Sequence, residues 1–85
     1  MTLAVVPVRV LLFGWYRELA GTSEIQLDLP AGSRVEDLIA EIRADPAFAD
    51  IPSSPGVAVN RRYSPGSRVL SPDDEVALIP PMSGG

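Results

Sequence analysis

Side chains able to carry covalent chemistry are almost absent from this 85-residue chain. It has no cysteine, no histidine and no lysine, and its seven basic residues are all arginines. Without thiols there is no disulfide framework, no thiolate metal site and no cysteine nucleophile. Without imidazoles the usual general base and the usual zinc ligand are both missing. A self-contained hydrolase or metalloenzyme is disfavoured, and neither a metal nor an intrinsically bound cofactor is expected. One reactive group remains, and it is a main-chain one: the carboxylate of Gly85, closing the run Ile79-Pro80-Pro81-Met82-Ser83-Gly84-Gly85. Pro80 and Pro81 fix two φ angles and favour an extended exit aimed away from the body of the protein. Gly84 and Gly85 lack a Cβ, so they fit a narrow channel and leave the terminal carbonyl carbon open to attack. Such an end suits a protein whose own C-terminus is another enzyme's substrate. A frayed terminus that happens to finish in two glycines has the same appearance.

That tail must be held by something, and the chain is long enough for one small domain. The run Val8–Phe13 is branched and aromatic and reads as a strand. Trp15–Ala20 reads as a helical turn stopped by Gly21. Residues 23–29 alternate, with Ile25, Leu27 and Leu29 on one side and Glu24, Gln26 and Asp28 on the other, which predicts a half-buried strand. Ser33 and Glu36 fit a capping box, and Val35, Leu38, Ile39 and Ile42 follow at helical spacing. Asp45-Pro46 ends that helix. Residues 46–56 are proline-rich and read as a loop, with one turn near 47–50. Short strands are expected at Val57–Asn60 and Arg68–Leu70, a turn at Arg61-Arg62, and a last strand at Glu75–Ile79. The order predicts an α+β fold, a mixed sheet with one main helix on one face. Residues 1–79 form the domain and residues 80–85 the tail.

Eleven acids against seven arginines give a net charge of −4. The arginines are scattered, so no basic stripe exists to hold nucleic acid. The apolar start is interrupted by Pro7 and Arg9, and is too short to span a bilayer. It lacks the basic lead of a signal peptide. No membrane association is expected, and the cytoplasm is the expected compartment.

The first and last strands are apolar on both faces. Leu11 and Phe13 back Val8, Val10 and Leu12; Ala77 and Ile79 back Val76 and Leu78. One helix covers only one face of a sheet. Leu11, Phe13, Ile79 and Tyr63 therefore either meet a protein partner or lie under the 46–56 loop or the N-terminal extension.

Val10-Leu11-Leu12-Phe13, Arg17-Glu18-Leu19-Ala20-Gly21, Val35-Glu36-Asp37-Leu38 and Val57-Ala58-Val59-Asn60 resemble successive stretches of the small-subunit family of molybdopterin synthase. The closing run from Asp74 to Gly85 resembles that family's signature end, and its double proline is the most discriminating feature. The resemblance spans about Val8 to Gly85. It implies the β-grasp, ubiquitin-like fold and a sulfur carrier rather than an enzyme acting alone. In that scheme an ATP-dependent adenylating enzyme converts Gly85 to an acyl-adenylate, and ATP is consumed there. A sulfur donor protein then leaves a thiocarboxylate, which gives its sulfur to a cyclic pterin precursor on the large subunit, in a heterotetramer of two small and two large chains. Pro80 and Pro81 would aim the tail; Met82, Ser83 and Gly84 would thread the channel; Phe13, Tyr63 and Ile79 would dock. The alternatives are a carrier for thiamine, cysteine or tRNA thiolation, and a non-catalytic ubiquitin-like interaction domain. The sequence departs from the family at Pro72-Asp73, where Asp-Gly is usual. A positive φ there would strain Asp73.

Overall fold

The computed structural model describes residues 4–81. The chain runs β1 (Val5–Leu12), α1 (Gly14–Ala20), β2 (Glu24–Pro30), α2 (Val35–Arg43), a 3₁₀ turn (Pro46–Phe48), β3 (Gly56–Val59), β4 (Arg62–Tyr63) and β5 (Glu75–Ile79). The strands form one mixed sheet in the order β2-β1-β5-β3-β4. β1 pairs antiparallel with β2 and parallel with β5, so the first and last strands meet at the centre. This is the β-grasp layout. No helix among the described residues is long and apolar enough to cross a membrane.

The core lies between the sheet and the helices. Val6, Val8, Val10 and Leu12 of β1, Val57 and Val59 of β3, and Val76 and Leu78 of β5 are buried against Val35, Leu38, Ile39 and Ile42 of α2 and Tyr16 of α1. Burying side chains of this size contributes about 1.5–3 kcal/mol each, so this single layer must offset the chain's conformational entropy. The first part of the loop, residues 46–51, packs on the helix side: Ile51 is buried, Phe48 lies against the core, and Arg43 Nε donates to the Ile51 carbonyl at 2.7 Å. Gly21, at φ 72, terminates α1 as its sequence position predicts, its N–H donating to the Arg17 carbonyl.

Several details differ from the sequence reading. The turn expected at Arg61-Arg62 lies one residue earlier, at Asn60-Arg61, and Arg62–Tyr63 form the edge strand β4 instead. β1 begins at Val5, three residues early and through Pro7. Main-chain direction alternates along a strand, and the N–H of Arg9 points to the β5 side, donating to Asp74. The nitrogen of Pro7 faces the same way, beyond the start of β5, where no ladder partner is missed. Phe13 is the N-cap of α1 rather than a strand residue. The capping box is shifted by one residue: the Asp37 carboxylate, not that of Glu36, accepts from the Arg34 N–H at 2.8 Å. The Ser33 hydroxyl is occupied in the preceding turn, donating to the Pro30 carbonyl at 2.6 Å. Residues 68–70 make no strand; Val69 forms a single bridge to Arg34. Leu70 points into the core, and its N–H donates to Ser33.

Candidate functional site

The tail leaves from β5, the middle strand of the sheet. Its root is seated by close packing. Gly14 has φ +54, and a Cβ placed on it would lie 3.0 Å from Pro80 Cγ, so the proline ring rests on a bare backbone. On the other side Gly56 pairs with Ile79, and a Cβ there would meet the Ile79 carbonyl at 3.3 Å. Two glycines thus admit the strand end and the first proline between β3 and the start of α1. Pro80 is half-buried and Pro81 exposed. Met82, Ser83, Gly84 and Gly85 lie outside the described residues.

The face opposite the helices is open among the described residues, and register shows how it is built. Leu11 pairs with Glu24 and with Ala77, Ala77 with Ala58, and Ala58 with Tyr63. Leu11, Ala77, Ala58 and Tyr63 therefore make one apolar row across four strands. The next row toward the tail holds Ile79, and Phe13, one residue beyond the Leu12–Leu78 pair, comes level with it. Tyr63 is 78% exposed and Phe13 48%. Of the two readings of this face, the covering loop is excluded for residues 46–51, which sit on the helix side. Residues beyond them only border the face: Pro55, Tyr63, Ile79, Pro80 and Pro81 line a shallow groove at the tail root. Of the predicted docking residues, Tyr63 and Ile79 line one groove beside the exit of the tail, while Phe13 lies at the end of β1, on the other side of β5 from Tyr63. Sequence reasoning missed Ala58, because a lone alanine carries no patterning signal until its strand partners are known.

The opposite end of this face is polar. Arg9 Nη2 contacts Glu75 Oε2 at 2.9 Å, and its other amine approaches Glu24 at 3.7 Å. These pairs are solvent-accessible and contribute little to stability. The start of β5 is fixed by a different device. Asn60 Nδ2 donates to Asp74 Oδ1 at 2.9 Å, the Glu75 N–H donates to Asn60 Oδ1 at 3.0 Å, and the Ser71 N–H donates to Asp74 Oδ2 at 2.8 Å. Asn60 sits at φ 51, a left-handed conformation it tolerates better than most residues. Asn60 with Asp74 therefore pins the β3–β4 turn to the strand that carries the tail.

Under α1, Tyr16 is fully buried, and its hydroxyl has no hydrogen-bond partner. Burial pushes its pKa above the ordinary tyrosine value. Among the described residues no group of three or more His, Cys, Asp or Glu gathers to hold a metal. The described residues lead the root of the tail, Pro80 and Pro81, out beside an apolar face.

Residues 10–85 match the ThiS family. A protein from Chlamydomonas reinhardtii named molybdopterin synthase sulfur carrier subunit is 40% identical over 83 residues, covering 94% of this chain and 100% of that protein. The Arabidopsis thaliana protein of the same name is 36% identical over 81 residues, covering 94% of this chain and 84% of that one. Among solved structures, a putative molybdopterin converting factor subunit 1 from Pyrococcus furiosus superposes with a TM-score of 0.78 at 35% identity, covering 91% of this chain and 99% of its own.

Proposed function

Because the chain belongs to the ThiS family, its match running from residue 10 to residue 85, we propose that it works as the sulfur-carrier small subunit of a molybdopterin synthase, with the Gly85 carboxyl as its working group. The observation that carries this reading is the exit of the tail. β5 is the central strand, its end is seated by Gly14 and Gly56, and Pro80-Pro81 lead the chain out beside the apolar row Leu11, Ala77, Ala58 and Tyr63. A partner resting on that row receives the tail directly. Its relatives' shared name supports the assignment to molybdopterin synthesis rather than to another thiolation pathway.

The cycle starts with a carboxylate, which is a poor acyl donor. An adenylating enzyme joins it to AMP and releases pyrophosphate. A sulfur donor protein displaces AMP, and the chain then ends in a thiocarboxylate, ionised at neutral pH and a soft nucleophile. The large synthase subunit takes the tail and supplies the acid–base groups this chain lacks. Sulfur passes to the pterin precursor, water attacks the Gly85 carbonyl carbon to release it as a carboxylate, and two such transfers complete the dithiolene. Met82, Ser83 and Gly84 thread the channel, Phe13, Tyr63 and Ile79 dock, and two small chains flank two large ones.

The test is intact mass after incubation with ATP, an adenylating enzyme proven on another family member, and a sulfur donor. The reading expects the mass increment of one oxygen replaced by one sulfur, mapped to Gly85, and its loss on addition of large subunit with precursor. An unmodified chain under those conditions would leave a ubiquitin-like interaction domain as the better account.

A further inference from the structure

The other side of the molecule carries the edge strand β2. β2 is the first strand in the sheet order and, among the described residues, pairs only with β1. The bonds from Leu12 to Ser23 and from Ala31 to Ala4 show that odd-numbered residues of this segment turn their main-chain groups toward β1. Gln26 and Asp28 therefore turn theirs outward, where no strand meets them, and Pro30 ends the edge without a donor. Such an edge is a template for an added strand.

Beside the edge lies a groove floored by Ile25, Leu27, Ile42 and Phe48 and rimmed by Glu41 and Asp45. Ile25, Leu27 and Phe48 are only half-buried, so the edge of the core is accessible along this flank of α2. The ionisable lining is entirely acidic. On the other face of the same strand the side chains of Glu24 and Asp28 stand exposed, with Arg9 opposite Gln26 between them and 3.7 Å from Glu24. A strand laid along this edge would alternate between the apolar groove and the exposed Glu24–Asp28 row, with carboxylates on both flanks.

We propose that the β2 edge and its groove take an extended segment of a partner protein in which apolar residues alternate with lysine or arginine, added to the sheet as a sixth strand. Charge decides against a second copy of this chain, since two such edges would set Asp28, Glu41 and Asp45 against their own likeness in a protein of net charge −4. Main-chain bonds to Gln26 and Asp28 supply affinity, the groove selects the apolar side chains, and the acidic rim selects the basic ones. The tail root, on β5, is separated from this edge by β1, so one partner leaves the other's surface free. The inference does not depend on the sulfur-carrier reading.

The probe is a synthetic octapeptide alternating valine with lysine and arginine, titrated into the full isotope-labelled chain and followed by amide NMR shifts and hydrogen exchange. The expected result is saturable shifts at Gln26, Asp28 and residues 41–48, with slowed exchange at the Gln26 and Asp28 amides. Gln26→Pro removes one outward donor, and the loss of one main-chain hydrogen bond predicts binding about tenfold weaker. Should that variant not fold, Asp28→Arg with Glu41→Arg reverses exposed charges only, and predicts the same or greater loss together with capture of the glutamate-for-arginine peptide. Shifts confined to the Leu11–Tyr63 face, affinity unmoved by charge reversal, no saturation, or self-association through the β2 amides would each overturn the proposal.

Discussion

Replacing Asn60 by alanine isolates the device that pins β5. The side chain makes two hydrogen bonds, to Asp74 Oδ1 and from the Glu75 N–H. Their loss costs about 1 kcal/mol each. Asp74 is 8% exposed, so its Oδ1 is left poorly solvated, at a cost of about 1 kcal/mol more. Alanine at φ 51 adds about 1 kcal/mol of backbone strain. The sum is about 4 kcal/mol, a large share of the ~4–13 kcal/mol expected for a domain of this length. With a urea slope of about 1 kcal/mol/M the midpoint falls by about 4 M. Asn60→Gly keeps the turn conformation and loses only the side-chain bonds, so it should fall less than the alanine variant. Glu75 and Ile79 are about 13 Å apart along the strand, so sulfur loading per folded molecule at low temperature should be unchanged. The assay is urea denaturation followed by the fluorescence of Trp15, alongside thiocarboxylate formation by mass. A fall below about 1 kcal/mol in Asn60→Ala, or an Asn60→Gly variant no better than alanine, would refute the reasoning.

Tyr16→Phe removes a buried hydroxyl that has no partner, and should raise stability by about 1 kcal/mol. A lower midpoint would mean that a water molecule satisfies the group. Its pKa is raised in the folded state, so the unfolded chain loses this proton first. Wild-type stability should therefore be full below about pH 10 and decline as pH rises through the folded value, a decline that Tyr16→Phe lessens in urea melts from pH 8 to 11. Asp73 stands at φ 67, so Asp73→Gly should stabilise by about 0.5 kcal/mol, read as a rise in Tm; a fall would show that its conformation is unstrained. Tyr63→Asp, at a position 78% exposed, should move stability by no more than about 0.5 kcal/mol. It should weaken binding to the large subunit by about tenfold or more, measured by calorimetry, and an unchanged affinity would remove Tyr63 from the interface.

Periodic and punctuated features were legible in the sequence. The alternation of Ile25, Leu27 and Leu29, the helical spacing of Val35, Leu38, Ile39 and Ile42, and the Gly21 stop all stand in the structure, as does the positive φ of Asp73. The doubly apolar β1 and β5 announced both their central place and a face needing explanation. Features set by long-range pairing were not legible. Ser33 looks like a cap until the turn to Pro30 claims its hydroxyl. Arg68–Leu70 has strand composition, yet only Val69 meets a partner. Asn60 and Asp74 are 14 residues apart, and nothing local reveals that they bond. The acidic groove beside β2 depends on how α2 lies over the sheet, which spacing does not encode.

The parallel pairing of β1 with β5 has a bearing on synthesis. Without residues 75–79 the sheet is two separate hairpins, β1–β2 and β3–β4, with nothing between them to close the core. Closing it joins Arg9 to Glu75 and Leu12 to Leu78, contacts across most of the chain, which slows folding and concentrates it in one late event. A nascent or truncated molecule lacking β5 has no finished domain to offer and exposes β-edges to proteases and chaperones. The strand that completes the fold is the one that leads into the C-terminal tail. Under the proposed function this would couple quality control to activation: an activating enzyme that recognised the folded sheet would meet only molecules whose translation had passed the last strand.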